Sequence, residues 1–130
     1  MSNIIAELQA VLTISNNLMS PPPYIGNFDF GNPTLNANSF FSDVFLAITG
    51  GVSIALPGSP VFCVIVQNIS TSGQVLQVAV TPTGGSAQTY SYGPSGMFVH
   101  IDPNETGAGI TALTLTGVGG TVPAFVSLGV

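Results

Sequence analysis

"VFCVIVQNISTSGQVLQVAVTPTGG", residues 61–85, is the stretch on which the reading of the fold turns. Two runs rich in β-branched residues, 61–67 and 74–81, flank a cluster of Asn, Ser, Thr and Gly, which reads as strand, turn, strand. "VFCVIV" is apolar at successive positions, which fits a strand covered on both faces, either inside the fold or by a neighbouring subunit. Cys63, the single cysteine, can form no internal disulfide and reads as a small buried apolar residue.

The same texture extends in both directions. Short β-rich runs bounded by Gly, Pro and Asn predict strands near 44–48, 52–56, 61–67, 74–81, 88–92, 97–101, 110–116 and 122–128. Alternation supports them: Val44, Leu46 and Ile48 share one face, as do Val52, Ile54 and Leu56, then Met97, Val99 and Ile101, then Val122, Ala124, Val126 and Leu128. Glycine pairs at 50–51, 84–85 and 119–120 mark hairpin turns. The expected fold is all-β, a jelly roll or related antiparallel β-sandwich of about eight strands over residues 44–130. Lysines usually guard exposed sheet edges, and this chain has none. Prolines 57, 60, 82, 94, 103 and 123 supply part of that guard, and coverage by other chains is the most economical source of the rest.

Residues 1–43 differ and form an expected N-terminal arm. Ile4, Ile5, Leu8, Val11 and Leu12 recur at helical spacing and predict a short amphipathic helix over 3–13, with an extended arm as the competing reading because Thr13–Ser15 suit a strand equally. The prolines at 21, 22 and 23 oppose both helix and ladder, and "GNFDFGNPTLNANS" is dense in turn residues, so the segment is expected to run over a surface.

Composition excludes much chemistry. The 130 residues suffice for one domain burying roughly 68% of its unfolded surface. Charged residues are 4% of the chain against about 25% in an ordinary soluble domain. Lys and Arg total zero, which removes salt bridges, guanidinium forks and Schiff-base amines. A net charge of −5 repels nucleic acid and anionic membranes, so neither is an expected partner. With 45% apolar residues and a mean hydropathy of +0.58 the chain should collapse and fold. No apolar run reaches the ~18 residues needed to cross a bilayer as a helix, and "MSNIIAELQA", with Glu7 and no basic residue, does not read as a signal peptide.

The only histidine, His100, stands in "MFVHID" with Phe98 and Asp102 on one predicted strand face. His100, Asp102 and Cys63 are the residue types of a nucleophile, base and orienting acid, yet no local motif surrounds the cysteine, and no G-x-S-x-G elbow supports a serine nucleophile. One His and one Cys cannot close a metal site. "DPNETG", residues 102–107, begins like a calcium loop but has Leu113 where the bidentate Glu belongs, so a turn is the better reading. Asn68-Ile69-Ser70 and Asn104-Glu105-Thr106 match the N-glycosylation pattern. The reading assigns no catalytic residue, metal or cofactor. Tyr24, Tyr90, Tyr92 and Phe98 are candidates to stack on a sugar in a competing, carbohydrate- or receptor-binding reading.

The stretch "VFCVIVQNISTSGQVLQVAVTPTGGSAQTYSYGPSGMFVHIDPNETGAGITALTLTGVGG" resembles the small β-rich virion proteins of tailed bacteriophages, in particular jelly-roll capsid decoration (cement) proteins, and the likeness covers roughly residues 61–130. The likeness lies in an apolar strand ending at Asn68, a hairpin into "VAVTPTGG", the "GPSGMF" turn and then "GAGITALTLTG". It implies a non-enzymatic protein on the capsid exterior that clamps adjacent capsomers, with the major capsid protein and its own copies as partners. The Asn- and Pro-rich arm departs from a bare jelly roll and is either a clasp onto a neighbour or an extra strand.

Overall fold

The computed structural model describes residues 4–7, 11–15, 25–29, 34–37, 40–102 and 109–129. In chain order the strands are β1 (Ile4–Glu7), β2 (Val11–Ser15), β3 (Ile25–Asp29), β4 (Thr34–Ala37), β5 (Phe40–Ala47), β6 (Val52–Ser53), β7 (Cys63–Asn68), β8 (Val75–Pro82), β9 (Gln88–Tyr92), β10 (Met97–Ile101), β11 (Ile110–Val118) and β12 (Val122–Gly129).

β5 to β12 form two four-stranded antiparallel sheets, ordered β5-β12-β7-β10 and β6-β11-β8-β9. The pairing is nested: β5 lies against β12, β6 against β11, β7 against β10 and β8 against β9. Such nesting describes one long hairpin rolled up until β12 meets β7 and β11 meets β8, which is jelly-roll connectivity. The fold expected from strand texture is therefore present, and its eight strands coincide closely with the expected runs.

Period-2 patterning builds the core. Val64 and Val66 of β7 and Val122, Ala124, Val126 and Leu128 of β12 face Leu76, Val78 and Val80 of β8 and Leu113 and Leu115 of β11, all buried in one cluster. Each such Val or Leu contributes roughly 1.5–3 kcal/mol by leaving water. Gly117 permits the close approach at the sandwich end, because a Cβ there would run into the carbonyl oxygens of Gly120 and Ala47.

The amino-terminal part corrects the expected helix over 3–13. Residues 4–7 and 11–15 are the strands β1 and β2, paired antiparallel with β4 and β3. Ile4 stands opposite Ala37, and Val11 opposite Asp29, giving two separate two-stranded ladders, together called the amino-terminal ribbon. β-Branched Ile4, Ile5, Val11, Thr13 and Ile14 favour this state once 25–37 supplies a ladder. The "GNFDFGNPTLNANS" segment, expected as surface arm, provides those partner strands, and the sandwich itself begins at Phe40 rather than at 44.

The structure also decides which face points inward. Val44, Leu46 and Ile48, and Met97 and Val99, do share faces, but these are solvent faces. Phe45, Ala47 and Phe98 pack on the core instead. In β10 the interior face is thus the one that carries His100.

Candidate functional site

β9 and β10 are edge strands of different sheets, and the rolled hairpin brings them together at one side of the sandwich. Register fixes what they present there. In β9, Gln88, Tyr90 and Tyr92 lie opposite the inward residues Val80, Val78 and Leu76 of β8, so they share the interior face. In β10, Phe98 and His100 lie opposite the inward residues Val66 and Val64 of β7. Tyr90 and Phe98 therefore meet across the seam, with ring centroids 5.5 Å apart and planes inclined by 33°.

Beside this pair opens a pocket of about 330 Å³, with Val80, Pro82 and Ile110 as apolar lining and Gln88, Tyr90 and His100 as polar lining. Its volume is at the lower end of the range for small-ligand sites. The Tyr90 hydroxyl donates to Gln88 Oε1 at 2.7 Å. His100 Nε2 is buried and has no hydrogen-bond partner. Leaving a buried polar atom unpaired costs about 1–3 kcal/mol. Burial, and secondarily the nearby Tyr90, raise the Tyr92 phenol above its ordinary value.

The suggested nucleophile and base do not come together. Cys63 pairs in register with Ile101 and packs with Phe62, Ile65 and Ile101 on the outer side of the sheet. His100 pairs with Val64 on the inner side. The sheet itself separates the thiol from the imidazole, and burial pushes the thiol up to about 11, so at neutral pH it is a protonated, poorly nucleophilic group. Asp102 follows β10, where its backbone N–H donates to the Phe62 carbonyl at 2.9 Å. The remainder of the "DPNETG" segment, with Asn104-Glu105-Thr106, lies outside the described residues, as does Tyr24. Among the described residues no three His, Cys, Asp or Glu side chains gather as a metal site.

Asn68, half of the other glycosylation triplet, is fully buried. Its Nδ2 donates to the carbonyls of Gln74 and Tyr92, both at 2.9 Å, and its Oδ1 accepts from Ser70 N at 2.9 Å. Its backbone N–H donates to Gly96 O and its carbonyl accepts from Ser95 N, so one side chain and one peptide unit hold the β7–β8 loop, the end of β9 and the 93–96 turn in place. Asn68 is thus a structural hub that supports the neck of the seam.

Sequence reasoning named Tyr90, Phe98 and His100 but missed Gln88, although the i, i+2 spacing to Tyr90 was a usable signal. Val80, Pro82 and Ile110 carried no local signal, since they line the pocket only through the rolling of the hairpin. No family model, curated protein or solved structure matches the chain.

Proposed function

We propose that this protein is a structural virion subunit, one that binds the exterior of a phage capsid and stabilises it by clamping neighbouring capsomers and its own copies. The observation that supports this reading is the outer face of the β5-β12-β7-β10 sheet. Across that face Met97, Gln67, Phe125 and Val44 form one row, and Val99, Ile65, Ser127 and Ser42 the next. Leu46 is 62% exposed, Val44 50% and Met97 44%, with Val99 and Phe125 also open to solvent and no charged residue in either row.

At about 4.8 Å between strands and 3.4 Å per residue, this surface measures on the order of 300 Å². Apolar Met97, Val99, Ile65, Phe125 and Val44 share the face with polar Gln67, Ser42 and the buried Ser127, and about 800 Å² per partner is typical of a stable complex, so the face supplies part of the contact and leaves the rest to the edges and the ribbon. Without Lys or Arg, contacts between copies of this chain draw their affinity from apolar burial and hydrogen bonds. The exterior is preferred to the lumen because five carboxylates with no basic residue repel packaged genome.

Light scattering on the purified protein, alone and after mixing with capsids stripped of it, tests the reading. A stable oligomer and cosedimentation with capsids are expected. Val44→Asp combined with Leu46→Asp is expected to abolish both while leaving the unfolding midpoint nearly unchanged, since both side chains are exposed. A wild-type protein that stays monomeric and ignores capsids overturns the reading.

A further inference from the structure

We infer that the pocket at the β9–β10 seam is a binding site for a neutral hexose residue. The inference does not rest on the assembly reading: the pocket opens at the seam between the sheets, and of its lining residues only Val99 also belongs to the outer face proposed as contact surface.

Charge narrows the ligand class first. Among the described residues no Lys, Arg or carboxylate lines the pocket, so a cation finds no counter-charge there and an anion finds at most the His100 imidazole. Burying a ligand charge without a partner is strongly unfavourable, which favours neutral molecules.

Shape and chemistry narrow it further. Tyr90, 39% exposed, stands at the pocket beside Phe98, and an aromatic ring of this kind packs against the C–H face of a pyranose. Val80 and Ile110 provide apolar lining behind it. The polar groups suit hydroxyls: Gln88 uses its Oε1 to accept from Tyr90 and keeps two amide hydrogens for a ligand, and buried His100 Nε2 lacks a partner. A molecule with one apolar face and a rim of hydroxyls suits the aromatic and apolar lining together with the Gln88 amide, and reaches Nε2 where the His100 ring turns toward it.

The test is a titration of the full-length protein with methyl glucosides, galactosides and mannosides, followed by amide and imidazole chemical shifts. Saturable shifts confined to Gln88–Tyr92, Met97–Ile101 and the His100 ring are expected with at least one of these sugars. Tyr90→Ala should weaken that binding about tenfold, while Tyr90→Phe keeps most of it. His100→Phe, which keeps a ring but removes Nε2, should weaken it by a similar factor. No saturable shift with any of the three glycosides overturns the inference, and so does binding that survives both Tyr90→Ala and His100→Phe. Val44→Asp with Leu46→Asp should leave sugar binding intact, which separates failure of this site from failure of the assembly reading.

Discussion

Removing the Asn68 side chain takes a partner from three backbone groups at once, the half-buried carbonyls of Gln74 and Tyr92 and the buried N–H of Ser70. Asn68→Ala should therefore cost about 3 kcal/mol, read as a lower urea midpoint at unchanged m. The neighbouring turn allows a change of opposite sign. Ser95 has φ +67° in Gly93-Pro94-Ser95-Gly96, where Gly96 N donates to Gly93 O at 2.9 Å, the position at which a type II turn favours glycine. Ser95→Gly should stabilise by about 0.5–1 kcal/mol as left-handed strain is relieved. Cys63 adds a pH dependence. Burial raises its thiol from 9.0 to about 11, so as pH climbs the unfolded chain releases this proton first. Its contribution is complete below pH 9 and falls away up to about 11. Wild type should lose more stability than Cys63→Ala across that window, and the native thiol should resist Ellman's reagent at pH 8. Equal losses in both proteins overturn the assignment.

At the scale of elements, the strands of the sandwich were legible because alternation is a local signal, and β9 and β10 occur at the residues expected. Their inward faces were not. In β10 both faces carry large apolar residues, Met97 and Val99 on one and Phe98 on the other, so hydrophobicity cannot tell inside from outside, and only pairing with Val64 and Val66 decides. The ribbon was misread for a related reason. Within a window as short as 4–12, Ile4, Ile5, Leu8, Val11 and Leu12 satisfy a helical period, while the ladder partners of β1 and β2 lie at 25–37, beyond the reach of a local pattern. The pocket was half legible: its aromatic and histidine residues stood out, and its apolar lining depends on rolling. One glycine tests the rolling itself. Gly117→Ala forces a methyl into the Gly120 and Ala47 carbonyls, so it should cost about 1–3 kcal/mol, measurable as a reduced thermal midpoint.

For the molecule as a whole, nested pairing gathers the main cluster of the described residues within the sandwich, each member lying at position 45 or beyond. A chain beginning at Ser39 should accordingly keep a cooperative unfolding transition and a β-type circular dichroism spectrum. If the ribbon completes the contact surface, the same truncation should weaken assembly, and particle stability unchanged by it sinks that role. Salt then distinguishes the forces of assembly. With a net charge of −5 and no basic side chain, copies repel one another and have no interchain salt bridge to lose. Raising ionic strength from about 0.01 M to about 0.15 M shortens the screening length from about 30 Å to about 8 Å, which removes repulsion at once. Sulfate adds a second effect by strengthening apolar burial. The native mass should therefore rise with sodium chloride and rise further with ammonium sulfate at equal ionic strength. Assembly held by charge pairs behaves in the opposite way, so a mass that falls with salt overturns the apolar interface.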